Sequence, residues 1–247
     1  MKNIIFCEGK TDAILLSYYL ENVAGWKFNK KLNKKIELPI RNLENEEVNV
    51  YTKSVNELVI WAVGGQSNFT YAMSQIINLN KNFIDNQIYT KLIVLRDHDL
   101  VSELDDILNE FNNLFEQNEI DISIKNNNEW TKTEYINAYD EKSEMHFLPV
   151  IVPFDKYGAL ETFVLDAICE MGQEEKMIVS KSKEFISGFN LRKYLNSQRL
   201  KVKGEFSVTL GAMFPQKTFT PIDEMLKNIS WEKYSTIQSG FKKLEEI

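Results

Sequence analysis

Short apolar runs alternate with amphipathic stretches over the first two thirds of the chain. Lys2–Cys7 is apolar from Ile4 onward and predicts a strand. Ala13, Leu16, Tyr19, Leu20 and Val23 then fall at helical spacing, with Thr11 or Asp12 able to cap the start and Gly25 to end it. Leu58–Val63 is the next strand, followed by a helix capped by Ser67 or Asn68 and carrying Phe69, Met73, Ile76, Ile77 and Leu79. Leu92–Leu95 makes a third strand, and Leu104, Ile107, Leu108, Phe111, Leu114 and Phe115 mark another amphipathic helix. His146–Pro153 is again strand-like and leads into a helix from Ala159 to about Glu170. Strand and helix in turn predict an α/β fold with a mainly parallel sheet flanked by helices.

Two stretches break the rhythm. Residues 26–56 are polar and rich in Lys and Glu, with a short strand at Val48–Tyr51, and residues 116–144 are rich in Asn, with Asn126-Asn127-Asn128 as a loop signal. Loops of that length inside a compact domain are uncommon unless functional, so both are expected as insertions able to reach a substrate. From Gly172 onward the pattern is mainly helical, ending in Ile222–Lys227 and Tyr234–Leu244. The expected organisation is a core over residues 1–170 and a helical C-terminal extension over 171–247, without a linker that would separate independent domains.

The polar residues that matter most stand where strands end. Glu8 and Asp12 follow the first strand in Phe6-Cys7-Glu8-Gly9-Lys10-Thr11-Asp12, and Asp97 and Asp99 follow the middle one in Arg96-Asp97-His98-Asp99. Strand C-termini of a parallel sheet share one rim, where open α/β folds bind ligands. Asp97 and Asp99, two apart, project to one side of an extended backbone, while His98 points away as a packing or surface residue. A bound cation offsets the mutual repulsion of such carboxylates, and hard oxygen donors suit Mg²⁺ or Mn²⁺. Glu161, in the first turn of its helix, is a fifth candidate ligand, although the helix dipole alone also favours an acid there. Gly9 and Gly64-Gly65 either admit a phosphate to the backbone or simply form tight strand-to-helix turns.

Hydrophobic residues make up 43% of the 247, ample for a core, and no apolar run approaches the ~20 residues of a membrane span. The two cysteines, Cys7 and Cys169, lie in apolar contexts without ligand spacing, so reduced, buried thiols and a cytoplasmic protein are expected. The net charge of −7 argues against a protein that coats nucleic acid, but local charge decides phosphate binding. Lys181, Lys183, Arg192, Lys193, Arg199, Lys201 and Lys203 face only Glu184 in one run, and Lys27, Lys30, Lys31, Lys34 and Lys35 form another. Each run is either a solvated face or a groove that follows a nucleic-acid backbone.

A first strand ending in Glu-Gly-x-x-Asp, a Gly-containing turn at Trp61–Asn68 and a middle strand ending in Asp-x-Asp together resemble the TOPRIM superfamily over residues 1–115, more weakly to about 170. That superfamily includes topoisomerases, bacterial primases, the 5S ribosomal RNA maturase and the OLD (overcoming lysogenization defect) nucleases. The resemblance implies a Rossmann-like fold and a metal-dependent endonuclease acting on DNA or RNA. From OLD-type members it carries metal binding onto Glu8, Asp12, Asp97 and Asp99. From topoisomerase-type members it carries a general acid or base role onto Glu8. OLD-type members also use a C-terminal lysine on the charged transition state, for which Lys201 and Lys203 are the candidates. Their TOPRIM part follows an ATPase domain, so nucleotide control here is expected either from a separate ATPase protein or not at all, and anti-phage defence is the implied setting.

Three alternatives stay open. Asp97-His98-Asp99-Leu100-Val101 also fits the nucleophile motif of haloacid-dehalogenase-like phosphotransferases, with Asp97 phosphorylated, although that motif normally follows the first core strand. A response-regulator receiver combines strand-end acids with a lysine in a different order. A TOPRIM fold without catalysis would be a binding or regulatory module.

Overall fold

The protein, seen in a computed structural model, is described at all residues except 84–86, 100–101, 218 and 227–228, and except for the side chain of residue 223. Its centre is the run of strands β1 (Lys2–Cys7), β2 (Lys27–Phe28), β3 (Glu46–Lys53), β4 (Asn56–Val63), β5 (Tyr89–Asp97), β6 (Thr131–Ile136) and β7 (Lys142–Val152), in the order β2-β3-β4-β1-β5-β7-β6. β1 lies parallel to β4, with Cys7 opposite Ala62, and parallel to β5, with Cys7 opposite Leu95. Ile4, Ile5, Phe6, Leu58, Trp61, Leu92 and Val94 are all buried. Burial on both faces is why these strands read as continuous apolar runs.

The expected short strand at Val48–Tyr51 lies within β3, and the edges add antiparallel strands to the parallel centre. Residues 26–56 supply β2 and β3, and β3 pairs antiparallel with β4 from Glu46↔Val63 to Lys53↔Asn56. The hairpin turns at Ser54, whose φ of 55° lies in the left-handed region. The short helix α2 (Lys30–Asn33) also belongs to this segment. Residues 116–144 supply β6, antiparallel to β7, and the start of β7 itself. The asparagine run is docked: Asn127 bonds both N–H and C=O of Ile151 at 2.8 Å, and Asn128 N–H donates to Pro149 O. The sheet is therefore mixed, parallel at β4-β1-β5 and antiparallel toward both edges.

Helices α1 (Lys10–Ala24), α3 (Phe69–Asn82) and α4 (Leu104–Gln117) follow the predicted apolar spacing. α1 starts at Lys10, ahead of the expected caps, and ends at Gly25 with φ 72°. A single turn of 3₁₀ helix, Gln66–Asn68, precedes α3. Beyond the sheet come α5 (Leu160–Cys169), α6 (Gln173–Ser187), α7 (Gln198–Met213), α8 (Ile222–Leu226) and α9 (Ser235–Phe241). The expected helix end at Lys227 lies outside the described residues.

Two compact units result. The first comprises Met1–Arg96, Val101–Ile151 and Lys243–Ile247; the second comprises Asp97–Leu100 and Val152–Lys242. In the second unit α5 packs with the later helices: Phe163 meets Phe154 edge to face and lies tilted against Phe241. Gly240 makes this close packing feasible, since a Cβ there would sit 2.7 Å from both Phe154 and Phe163. Cys7 is buried as expected, whereas Cys169 is only partly so, and both are free thiols. No described helix is long and apolar enough to cross a membrane.

Candidate functional site

The end of β1 is built around Glu8. Its side chain is 3% exposed, and its carbonyl oxygen accepts from Gly64 N at 3.0 Å and Gly65 N at 2.9 Å. The φ values of Gly64 and Gly65, 80° and 121°, need glycine, which assigns this pair to the turn that ties β4 to β1. Asp12 folds back from the first turn of α1, and its Oδ2 accepts from Gly9 N at 2.9 Å, as in a capping box. Burial first, then the charges of Asp12, Glu8 and Glu47, push the Cys7 thiol well above its ordinary range. Cys7 therefore stays protonated at neutral pH.

The end of β5 has a comparable feature in the second unit. Asp97 is 8% exposed, and its Oδ1 accepts from Leu160 N, the first residue of α5, at 2.8 Å. Asp97 thus caps a helix 63 residues away, where the dipole favours a carboxylate. Asp99 follows it, partly buried. His98 packs as anticipated: its Nδ1 lies 3.2 Å from Pro153 O and its ring 4.8 Å from that of Tyr157. Leu100 and Val101 of the phosphotransferase-like motif lie outside the described residues.

Glu161, next to the capped Leu160, faces Lys203 of α7, whose Nζ lies 3.8 Å from its carboxylate. Lys201, two residues earlier, points elsewhere, because two positions turn a helix by about 200°. It lines a cavity of about 470 Å³ at the α6–α7 connection together with Arg192. Lys181 is paired with Glu184 at 2.7 Å, which lessens its availability to a ligand. Lys183 and Lys201 both lie near Glu205, whose pKa is nonetheless raised, chiefly by burial. Arg192, Lys193 and Arg199 are exposed. Of the other basic run, Lys27 sits on β2 and Lys30 and Lys31 on α2.

Chemically, Glu8, Asp12, Asp97, Asp99 and Glu161 offer the hard oxygen donors that Mg²⁺ or Mn²⁺ takes, and buried carboxylates at strand ends suit such an ion. Among the described residues, no three His, Cys, Asp or Glu side chains are gathered closely enough to hold a metal as they stand. Asp12 and Asp97 each devote one oxygen to a backbone N–H. A second cavity, about 410 Å³, opens beside Lys2, Glu57 and Tyr89 near the starts of β1, β4 and β5, at the other end of β1 from Glu8. The sequence pattern points to the cations of residues 181–203 and passes over the aromatics between them; Phe185, Phe189 and Tyr194 are 54%, 39% and 61% exposed.

A family model described as "Protein of unknown function (DUF3226)" matches residues 2–213. The chain belongs to that family. Among solved structures, the hypothetical protein PH0156 from Pyrococcus horikoshii OT3 is similar in fold, with a TM-score of 0.50 at 17% identity over 91% of this chain and 98% of that one. The likeness extends to the α/β architecture alone. A lactoylglutathione lyase from Agrobacterium tumefaciens aligns with a TM-score of only 0.17 at 11% identity, over 60% of this chain and 91% of that one, too low to bear on the fold. No curated protein matches the chain in sequence.

Proposed function

We propose that this protein is a TOPRIM-like nuclease, dependent on Mg²⁺ or Mn²⁺, that cleaves phosphodiester bonds of DNA or RNA. The observation that carries this reading is the parallel pairing of β1 with β5, in register from Asn3↔Lys91 to Cys7↔Leu95, so that both strands run toward one rim of the sheet. The candidate metal ligands are those of the sequence pattern, Glu8, Asp12, Asp97 and Asp99, with Glu161 as a fifth. A divalent ion bound there would screen the phosphate oxygens and lower the pKa of a water. Glu8 is also the residue onto which the resemblance carries the general acid or base role. Lys203, already next to a carboxylate, is the better placed of the two lysines to meet developing charge, and Lys201 the better placed to bind. A separate ATPase protein as partner and a role in anti-phage defence belong to the same proposal on the resemblance alone, and a cytoplasmic setting belongs to it on the free thiols Cys7 and Cys169.

A non-catalytic binding module is the second reading. It is favoured by the backbone hydrogen bonds of Asp12 and Asp97, which give both acids a structural reason to be present. Cleavage of supercoiled DNA, single-stranded DNA, transfer RNA and ribosomal RNA with and without metal separates the two. For the nuclease, Glu8→Gln and Asp97→Asn abolish metal-dependent cleavage, and Mn²⁺ raises the melting temperature of the unmodified protein but not of Asp97→Asn. No cleavage and no metal-dependent stabilisation at millimolar concentrations would leave the binding module.

A further inference from the structure

The connection between α6 and α7 leaves both aromatic and basic residues in solvent. From Ser187 to Leu200 every residue except Leu195 is exposed, although the stretch contains Phe189, Leu191, Tyr194 and Leu200. It is not loose. Gly188 N–H donates to Glu184 O at 3.0 Å and Phe189 N–H to Ile186 O at 3.2 Å, extending α6 by a turn. Tyr194 and Leu195 both donate back to Leu191 O, and Ser197 Oγ accepts from Leu200 N to begin α7. Beneath, Gly204 lets α7 approach Ile186, whose Cδ1 would lie 3.1 Å from an added Cβ. The helices thus present a defined surface.

On that surface flat rings alternate with cations. Phe185 and Phe189 meet edge to face at 4.7 Å, and Lys193 Nζ stands 4.9 Å from the centre of the Tyr194 ring. The cavity at the connection is lined by Phe189, Leu191, Arg192, Gln198 and Lys201, which joins apolar walls to charged and amide groups. A chain of net charge −7 concentrates positive charge here, so the complementary ligand is anionic. An aromatic face left in water beside a cation is costly as packing but useful for stacking a base. A paired duplex offers phosphates and hides its base faces; a single strand offers both.

We propose that the α6–α7 connection is a platform for single-stranded nucleic acid, with Phe189 and Tyr194 stacking bases and Arg192, Lys193 and Lys201 following the backbone. This rests on the reading of the protein as one that acts on nucleic acid and adds the strand state of the substrate. The contacts are sequence-tolerant, because every base has a stacking face. The shared chemistry, an unpaired base on a phosphate backbone, does not distinguish DNA from RNA.

The test is fluorescence anisotropy of the full chain in EDTA against labelled oligothymidylate, oligouridylate and a duplex of equal length, over a salt series. Both single strands, or one of them, bind roughly tenfold or more tightly than the duplex. Tyr194→Ala and Phe189→Ala each weaken single-strand binding by roughly five- to a hundredfold without changing the salt slope. Lys193→Glu lowers that slope by about 0.7 for each phosphate the protein no longer neutralises. Tyr194→Phe keeps the ring and the affinity, and, the side chain being exposed, the melting temperature stays level in all these variants. Equal affinity for duplex and single strand, unchanged binding in both ring deletions, or binding to anionic vesicles in place of oligonucleotides would overturn the proposal. Metal-dependent cleavage measured in parallel separates the two claims. Cleavage without strand preference removes the platform and keeps the nuclease, whereas strand binding without cleavage does the reverse.

Discussion

The acidic end of β1 and the basic connection between α6 and α7 represent opposite ways of placing charge. Glu8 is 3% exposed, its backbone is pinned by Gly64 and Gly65, and Asp12 beside it is bonded to Gly9. Arg192 and Lys193 stand in solvent. A buried carboxylate costs several kcal/mol to desolvate and persists only where partners repay it, so stability and any chemistry are entangled at that end. An exposed cation is nearly free of such cost, so its loss reports directly on a ligand. The first region needs substitutions that keep hydrogen bonds, and the second tolerates plain deletion or charge reversal.

Asp97 should show the largest effect. Asp97→Ala leaves Leu160 N without its acceptor at a buried helix start and destabilises the protein by roughly 2–3 kcal/mol in urea unfolding. Asp97→Asn keeps an oxygen acceptor and loses about 1 kcal/mol. Both lose metal-dependent cleavage if Asp97 is a ligand. Equal stability of the two variants would show that the bond to Leu160 contributes little and that Asp97 belongs with the exposed charges.

Glu170 lies between the extremes, exposed yet bonded. Its carboxylate accepts from Ser235 N at 2.7 Å, Ser235 Oγ at 3.0 Å, Thr236 N at 2.9 Å and the Thr236 hydroxyl, capping α9. Burial acts to raise its pKa, but these hydrogen bonds together leave it below the usual carboxylate value. A depressed folded pKa means stability that is present above the unfolded pKa, near 4.3, and lost as pH falls through the folded one. Glu170→Ala should cost about 1 kcal/mol at neutral pH, a cap's contribution discounted for solvent screening, and the difference from wild type should vanish in acid. A constant difference down to low pH would assign the effect to packing.

The sheet centre was legible and its edges were not, for one reason. β1, β4 and β5 are buried on both faces and leave unbroken apolar runs. β3 and β6 bury one face or less, so only Val48–Tyr51 of β3 reads as a strand, and Thr131–Ile136 reads as a polar loop until its partner is known. The asparagine triplet has a loop composition, but its bonds reach Ile151, 24 residues from Asn127. The candidate acids were found because a carboxylate following an apolar run is a local signal. What each carboxylate touches was not, since Leu160 is 63 residues from Asp97, and no spacing rule links Glu161 to Lys203 on another helix.

The smallest stability effect belongs to Lys203, where the contrast between buried and exposed charge is sharpest. Its Nζ lies 3.8 Å from Glu161, with the lysine side chain 47% exposed and the glutamate 14%. A pair at that distance with one partner half in water contributes little, so a double-mutant cycle of Lys203→Ala with Glu161→Gln should give a coupling of about 0.5 kcal/mol or less. Turnover is where Lys203 should differ from Lys201. A cation that meets charge developing at the cleaved phosphate lowers kcat by roughly a hundredfold when removed, with KM almost unchanged. A cation in the binding cavity raises KM and leaves kcat. Lys203→Ala should show the first pattern and Lys201→Ala the second. The reverse assignment would move the transition-state contact to the cavity side of α7. A coupling well above 1 kcal/mol would make the Glu161–Lys203 pair a structural tie between α5 and α7, and remove both residues from the proposed chemistry.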